Sequence, residues 1–424
     1  MNDRIDAQTL LERLFPLHRS ITGAGVRRTH DILAEIMPLD RREIASGTQV
    51  FDWTVPQEWE VREAYVIAPD GRRILDVADH PLRLVNYSIP FRGTLAREDL
   101  DEHLHSLPDR PDAIPYITSY YAPRWGFCLT QREREALPPG NYRVVVDTRL
   151  FDGFLTLSQA VLPGETEAEA LFSTYTCHPA MAVDELCGMI AAQLLYRRLA
   201  AWPRRRLTYR FVFIPETIGS IAYLAHYGDH LKRNLVAGYV LSNFGRNRPF
   251  RYKRSRRGDS LADRTAEIVL QAPLKVEDFA PAGSDERQYC SPAFNLPVGS
   301  LTREETCFPE YHTSLDGLEG VSADALVETV DVLEALCRAL DGNERFRNLM
   351  PHCEPQFGRR GLYPTLGATA LRAESVRAIP WVWSLTDEAT DLLEIARRSG
   401  FSFDTIREAA DRCVEAGLIA AIEP

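Results

Sequence analysis

The sequence predicts an α/β protein built on a mainly parallel sheet with helices on both faces, joined by a β-rich inserted module and a small C-terminal winged helix. Strands and helices alternate from about residue 165 to 340, which is typical of a doubly wound sheet. The preceding segment, 50–162, is rich in prolines, turn signals and short strand-like runs. Residues 386–419 read as two short helices around a turn, the spacing of a winged helix.

The length and these boundaries divide the chain into three units. At 424 residues it is long enough for two or three domains, because single hydrophobic cores stop growing near ~250–300 residues. We predict a main domain from residues 1–49 and 163–350, the inserted module from 50–162, and a linker with the winged helix from 351–424.

Within the main domain, hydrophobic periodicity assigns each element. Apolar stripes predict a helical region over 4–38. The run Tyr209 to Ile214 is almost continuously apolar, as in a strand that is buried on both faces of a parallel sheet. Further strands are predicted at 170–176, 236–241 and 295–301, and helices at 185–199, 218–226 and 322–340.

Composition and charge argue against some classes of partner. The formal net charge of −11 disfavours nucleic acid and anionic membranes, both of which require a basic surface. From 386 to 424 there are nine acidic residues against four arginines, so the winged helix is predicted to pack or to form a homo-oligomer contact rather than to bind DNA. With no apolar signal core and eight scattered cysteines without a C-x-x-C pair, we expect a cytoplasmic protein with free thiols.

Four short segments carry the candidate chemistry, and each follows a predicted strand. They contain two histidines, two aspartates and one glutamate, the side chains that a hydrolytic zinc site requires. These residues are His178, Asp184, Glu216, Asp285 and His312.

Each candidate also has a structural interpretation. His178 could stabilise a turn and Asp184 could cap a helix. Glu216 could be satisfied by backbone amides, and Asp285 could be a turn residue. Since functional residues of doubly wound sheets lie beyond the carboxyl ends of the strands, their common position favours one shared site.

Longer motifs strengthen this interpretation. The motifs are Asp52-Trp53-Thr54-Val55-Pro56, Arg124-Trp125-Gly126-Phe127-Cys128, Pro215-Glu216-Thr217-Ile218-Gly219-Ser220, Gly283 to Cys290, and Tyr311-His312-Thr313-Ser314. With these motifs the chain resembles a bacterial family with an aminopeptidase-like domain and a C-terminal winged helix, related to the co-catalytic zinc aminopeptidases and glutaminyl cyclases. Members of that family often occur with surface-polysaccharide or natural-product biosynthesis genes, and the resemblance implies that the insert is a lid-like module over the sheet edge.

The resemblance implies roles for the candidate residues. His178 would bind one zinc, Asp184 would be the bridging carboxylate and His312 would bind a second zinc, with Glu216 as the general base. Asp285 would replace a lost ligand or orient a histidine, and substrate contacts would come from Arg287, Tyr289 and Tyr311.

Two ligands of a di-zinc site are missing from their expected places. The clan has a second glutamate after the base, where this chain has Thr217, and an aspartate after the next strand, where it has Ser242-Asn243. We therefore expect one zinc, or a pair with one weak site, held by His178, Asp184 and His312.

The resulting hypothesis is a zinc-dependent aminopeptidase or amidohydrolase that cleaves an N-terminal or aminoacyl amide bond of a small peptide or biosynthetic intermediate. One alternative is aminoacyl transfer as in glutaminyl cyclases. Another is a catalytically degenerate binding or scaffold protein, which the missing ligands would explain. Trp53, Trp59 and Trp125 are expected in the core of the insert, where one of them could also wall a substrate pocket.

Overall fold

The computed structural model describes residues 2–270, 274–305, 307–363 and 374–422. In this part of the chain an eight-stranded sheet forms the centre of the main domain. Its four middle strands are mutually parallel, and antiparallel pairs occur towards both edges, so the predicted mainly parallel sheet is confirmed. The strands lie in the order Asp40–Ala45, Phe154–Leu162, Thr208–Ile214, Glu169–Tyr175, Leu235–Leu241, Val298–Thr302, Arg251–Lys253 and Lys275–Glu277.

Both faces of the sheet are buried, because successive side chains of a strand point to opposite sides. Phe172 packs into one hydrophobic cluster and its neighbour Leu171 into another. Helices Asp3–Leu14, Cys187–Ala200 and Ala323–Gly342 supply the first cluster, while Ile218–Asn234 and the inserted module supply the second.

Most helices fall where the periodicity predicts them. The region 4–38 is an exception, because it divides into two helices separated by a segment that contains Pro16 and Gly23, a glycine with φ of 104°. The described α-helices are Asp3–Leu14, Ala24–Ala34, Arg97–Asp101, Gln131–Ala136, Cys187–Ala200, Ile218–Asn234, Leu261–Val269, Glu286–Tyr289, Ala323–Gly342, Glu374–Leu385, Leu392–Ser399 and Phe403–Glu415.

The inserted module has its own antiparallel sheet, which ends earlier than predicted. Strand Phe154–Leu162 lies inside the predicted range 50–162 but pairs with the central sheet. Only Asp152 and Gly153 separate this strand from the insert's last strand, Asn141–Phe151. In the sequence the two strands therefore resemble one hairpin, although they belong to different sheets. The insert's strands, in order, are Arg73–Ile74, Glu58–Ile67, Asn141–Phe151 and Phe91–Ala96, and two short pairs join Gln49–Val50 to Trp53–Thr54 and Leu104–His105 to Phe127–Cys128.

The C-terminal unit combines three helices with a two-stranded sheet. Strand Phe346–Asn348 pairs with Ile419–Ala421, so this unit begins before the predicted boundary at residue 351. An ion pair between Arg264 and Asp391, 2.9 Å long, connects it to the main domain. None of the helices among the described residues has the length and hydrophobicity needed to cross a membrane.

Candidate metal centre

The predicted segments meet at the carboxyl edge of the central sheet. His178 follows strand Glu169–Tyr175, and Glu216 follows the adjacent parallel strand Thr208–Ile214. Asp184 lies on a single π-helical turn, Ala182–Leu186, a local geometry that is frequent at functional sites. Because neighbouring parallel strands end at the same edge, residues far apart in sequence converge there.

Three side chains form a cluster with the composition of an open zinc site. The ligand atoms of His178, Asp184 and His312 all lie within 4.8 Å of one another. Asp184 Oδ2 and His312 Nε2 are 3.3 Å apart, and both are buried atoms without a hydrogen-bond partner among the described residues. Ligand atoms around a tetrahedral zinc lie roughly 3.4 Å apart, given bonds of ~2.0–2.2 Å. The unpartnered atoms and their separation therefore fit a bound zinc ion.

The orientation of Asp184 is fixed by its neighbours. The Tyr175 hydroxyl donates to Asp184 Oδ1 at 2.7 Å, which leaves Oδ2 directed at His312. Asp316 accepts the backbone N–H groups of Val183 and Asp184 at 2.8 and 3.0 Å. The π-helical turn is thus anchored by a buried carboxylate.

His178 is oriented by Glu185, a residue that the sequence analysis did not identify. Glu185 Oε2 lies 2.9 Å from His178 Nδ1 and accepts the Cys177 N–H at 2.7 Å. Arg19, which is fully buried, donates to Glu185 Oε1 at 2.9 Å and to the carbonyl of His178 at 3.0 Å. The Nδ1 contact with Glu185 leaves Nε2 of His178 to serve as the ligand atom, as in many zinc sites.

A second grouping of metal-binding side chains, Cys177, His178 and Glu185, fits a metal less well. Glu185 is already engaged by His178, two backbone amides and Arg19. Burial raises the pKa of the Cys177 thiol to about 11, so it carries its proton at neutral pH. A protonated thiol is a poor zinc ligand.

Glu216 lies beside this cluster in the position of a general base. Its Oε2 is 3.7 Å from His178 Nε2, and its Oε1 accepts a hydrogen bond from Ser284 Oγ at 2.9 Å. Burial raises the pKa of Glu216, and the charge of Asp184 adds to this. A raised carboxylate pKa brings the group closer to the pH at which it exchanges protons with water.

The residue after Glu216 has a strained backbone. Thr217 has φ 64° and ψ −74°, and the Ile218 N–H donates to the Glu216 carbonyl at 2.8 Å, which defines a tight γ-turn. Asp285 accepts the Thr217 N–H at 2.8 Å, and Arg287 donates to the Thr217 hydroxyl at 2.9 Å. Strain of this kind persists only where the surroundings hold it, so Asp285 and Arg287 support the turn that carries Glu216.

The remaining predicted residues occupy different environments. Tyr311 lines a cavity beside Asp184 and Glu216, and its ring stacks on His312 at 3.8 Å. Tyr289 is fully buried and shares a hydrogen bond of 3.0 Å with Ser173, so its side chain packs in the core of the domain. Asp285 is also buried, and its burial together with Glu216 raises its pKa to about 7.

The two positions that lack the clan's ligands both lie at the site. Asn243 lines the same cavity as Glu216, and its buried Oδ1 has no hydrogen-bond partner among the described residues. Thr217 lines a second cavity on the other side of Glu216. Neither side chain supplies a carboxylate, so the candidate ligand set among the described residues has three members, His178, Asp184 and His312.

The inserted module contributes a wall that sequence analysis did not assign. Tyr116 donates its backbone N–H to the His312 carbonyl at 2.8 Å, and its ring lies 5.2 Å from His178 and 5.3 Å from His312. Its hydroxyl pairs with that of Tyr120 at 2.7 Å. The signal in the sequence was the concentration of three tyrosines within 116–121.

The comparisons with known proteins agree with this fold. Residues 8–343 match a domain of unknown function, DUF4910, and residues 344–421 match a winged helix-turn-helix. A Clostridium acetobutylicum protein named "Putative polysaccharide biosynthesis protein with aminopeptidase-like domain" is 41% identical over 416 residues, covering 97% of this chain and 95% of the relative.

Solved structures extend the comparison. A crystal structure of a "putative peptidase" from the same species is 39% identical, with a TM-score of 0.92 over 99% of this chain and 96% of that one. BSAP, a zinc aminopeptidase from Bacillus subtilis, has a TM-score of 0.57 at 15% identity, covering 80% of this chain and 94% of that one. A peptidase M28 precursor from Shewanella amazonensis has a TM-score of 0.52 at 13% identity, covering 79% of this chain and 96% of that one. The chain therefore has an aminopeptidase-like fold and belongs to the DUF4910 family with a C-terminal winged helix.

Proposed function

We propose that this protein is a zinc-dependent amidohydrolase of aminopeptidase type, acting on an N-terminal or aminoacyl amide of a small peptide or biosynthetic intermediate. The observation that carries the proposal is the pair of buried atoms Asp184 Oδ2 and His312 Nε2, which face each other 3.3 Å apart next to His178 and make no hydrogen bond to any other described residue. Buried polar atoms are rarely left without partners, and a cation between them would satisfy both.

The ligand set has three members, His178, Asp184 and His312, which is the number that leaves a coordination position open for catalysis. When bound, zinc supplies Lewis-acid chemistry, which polarises a carbonyl group and makes water more acidic. Glu185 and Arg19 hold His178 in place, while Tyr175 and Asp316 hold Asp184.

Glu216 performs the proton transfers. It accepts a proton from the attacking water as the water oxygen adds to the amide carbon, and it returns that proton to the nitrogen as the C–N bond breaks. One amide and one water thus give one carboxylic acid and one amine. Ser284 holds Oε1 of Glu216, so Oε2, the oxygen nearer to His178, receives the proton. Asp285 and Arg287 act as positioning residues through Thr217.

The first test measures zinc per chain by mass spectrometry in the wild type and in His178→Ala and His312→Ala. We expect about one zinc in the wild type and its loss in both variants. Glu216→Gln should keep the zinc but lower hydrolysis of aminoacyl amides by about 10²–10⁴-fold. Glu12→Gln, an exposed carboxylate on the first helix, is the matched control and should leave both quantities unchanged.

Two outcomes would change the assignment. A product of Gln-amide substrates that has lost ammonia without gaining water would identify intramolecular aminoacyl transfer, as in glutaminyl cyclases. An absence of stoichiometric metal after zinc is added back would favour the scaffold hypothesis, for which Thr217 and Asn243 are the supporting residues.

The winged helix is proposed as a packing module rather than a nucleic-acid reader. Its arginines are engaged within the protein: Arg397 and Arg398 both pair with Glu394, and Arg407 pairs with Glu344 and Asp411. Paired guanidinium groups on an acidic surface attract phosphate weakly. A fluorescence anisotropy titration with labelled duplex DNA at low salt should therefore give no saturable binding.

A further inference from the structure

Two cavities with different linings adjoin the candidate metal centre. Glu216 lines both of them. One cavity, of about 270 Å³, is lined by Arg251, Lys253 and Glu277 together with several hydroxyl groups. The other, of about 340 Å³, is lined by one tryptophan and three tyrosines, and also by His178 and His312. We call them the polar cavity and the aromatic cavity.

The inserted module supplies the tryptophan and tyrosines of the aromatic cavity, and the main domain supplies most of the rest of its lining. The residues from the insert include Trp53, Tyr116, Tyr120 and Tyr121. Trp53 and Tyr121 contact each other edge to face at 5.4 Å, yet they remain 39% and 51% exposed. Exposed aromatic rings at the mouth of a cavity gain free energy when a ligand covers them.

The charge pattern restricts the occupant of the aromatic cavity. Among the described residues that line it, Glu216 is the one acidic or basic group apart from His178 and His312. The hydroxyls of Tyr116 and Tyr120 already bond to each other at 2.7 Å. A charged group placed against this aromatic part of the lining, away from Glu216 and the two histidines, would lose its hydration without gaining a charged partner, which is costly.

The wall is fixed in place by contacts with the loop that carries His312. Ile114 and Ser314 exchange two hydrogen bonds of 2.9 and 3.0 Å, and Arg110 donates to the Pro309 carbonyl at 2.8 Å. Pro115 forms a β-bridge with Thr313. These bonds hold the segment that carries Tyr116 against the His312 loop, so this part of the wall can contribute to selection of the substrate.

From this arrangement we infer that the inserted module determines specificity by binding an uncharged, ring-bearing group attached to one side of the scissile amide. The polar remainder of the substrate would then lie in the polar cavity, beyond Asp184 and Glu216. This inference rests on the proposed hydrolase function and names the substrate class of the same site. A volume of about 340 Å³ accommodates one such ring-bearing group rather than a folded chain.

Dipeptide hydrolysis tests the inference directly. Zinc-loaded protein is given Ala-Phe, Phe-Ala and Ala-Ala, and kcat/KM is measured for each. We expect one of the two aromatic dipeptides to exceed Ala-Ala by at least about tenfold, the gain from burying an aromatic side chain. Which of the two is preferred tells which side of the amide enters the aromatic cavity.

Variants of the exposed aromatic residues locate the effect. Trp53→Ala and Tyr121→Ala should raise KM for the preferred aromatic dipeptide about tenfold, with little change in kcat and little change for Ala-Ala. Phe51→Ala is the matched control, since Phe51 is a 58% exposed aromatic residue of the same module that contacts Phe294 and does not line the cavity. The Phe51→Ala substitution should leave kcat/KM for all three dipeptides unchanged.

Failure of this inference is distinguishable from failure of the proposed function. Equal hydrolysis of all three dipeptides would overturn the aromatic assignment and leave the hydrolase function standing. If no dipeptide is hydrolysed, the proposed function fails. Calorimetric binding of the dipeptides to the Glu216→Gln protein then tests the aromatic cavity assignment separately. Tighter binding of an aromatic dipeptide that Trp53→Ala abolishes supports the cavity assignment, and equal binding of all three refutes it.

Discussion

The two histidines of the metal cluster are held by different means. The side chain of His178 is 6% exposed and touches a carboxylate that is itself paired with a buried arginine. The side chain of His312 is 33% exposed, has φ of 53°, and is positioned by stacking on Tyr311 and by contact with Tyr116 of the inserted module. One of the two proposed ligands is therefore fixed by the core of the main domain, and the other depends on contacts with a second module.

The largest effect is expected on the His178 side. Glu185→Ala leaves Arg19 buried without its charge partner, and breaking a buried ion pair in this way costs about 3–5 kcal/mol of stability. Thermal and denaturant unfolding should show this loss, together with loss of zinc. Glu165→Ala, which removes an exposed partner of Arg204, is the control and should not shift the unfolding midpoint. A small effect of Glu185→Ala would mean that the core does not fix His178.

Acid should destabilise the main domain through a buried histidine that contacts Thr176, two positions before His178. The ring of His30 is fully buried, with Nδ1 2.8 Å from Ser158 Oγ and Nε2 3.4 Å from Thr176 Oγ1. Burial lowers the pKa of His30 to about 3. The pKa of this histidine in the unfolded chain is 6.5. Between pH 6.5 and about 3 the unfolded chain therefore binds more protons than the folded chain. The stability that is present above pH 6.5 is lost as the pH falls through this window. The loss is about 1.4 kcal/mol per pH unit in this window.

The measurement is the unfolding midpoint as a function of pH. The His30→Gln protein has no titrating group at this position. The pH dependence of its stability between pH 6 and 4 should therefore be shallower, by about one proton taken up on unfolding. His18 and His80, whose pKa values burial lowers to about 4, would account for part of the remaining slope. An unchanged slope in His30→Gln would contradict the assignment.

A smaller effect is expected on the His312 side. Tyr116→Ala removes the ring that contacts both histidines, and loss of a supporting contact of this kind lowers zinc affinity by about tenfold. Tyr116→Phe keeps the ring and loses only the bond to Tyr120, so its affinity should equal that of the wild type. Competition with a chelator measures the zinc affinity of both variants. Equal losses of zinc affinity in the two variants would show that the hydroxyl group rather than the ring supports the site.

The smallest effect concerns the connection between the two modules. Ser314→Ala removes one acceptor of the Ile114 N–H, which costs about 1 kcal/mol. We expect a correspondingly small decrease in the unfolding midpoint and a decrease in zinc affinity of no more than a few-fold. Ser399→Ala in the winged helix removes a comparable bond to a backbone carbonyl, and should alter stability without altering zinc affinity.

Local patterns predicted the parts of the site that lie on the central sheet. The apolar run before Glu216 and the strand before His178 place both residues at the sheet edge, because parallel strands end together. Such patterns could not identify Glu185. It directly follows Asp184, and only the π-helical turn decides which of two consecutive carboxylates faces the metal cluster and which faces Arg19.

Of the residues that the inserted module contributes, the sequence indicated Trp53 as a possible wall of a substrate pocket, but it did not indicate Tyr116. Tyr116 lies more than sixty positions before His178, and no periodicity indicates that its strand-poor segment returns to the sheet edge. Asp285 was predicted to replace a ligand or orient a histidine and Arg287 to contact the substrate, whereas the structure shows both in contact with Thr217. Those contacts depend on a γ-turn that a β-branched residue seldom adopts. Arrangements that need tertiary contacts to hold a strained backbone leave no local signature.

The bonds between the insert and the His312 loop have a consequence for the order of folding. Arg110 reaches Pro309 across 199 positions, and Ile114 reaches Ser314 across 200. Contacts so distant in sequence form late, because a large loop must close before they contribute. The bonds from Arg19 to the His178 carbonyl and to Glu185 also span 159 and 166 positions, so we expect both histidines to be in place only late in refolding. The capacity to bind zinc should then appear only in the slowest refolding phase.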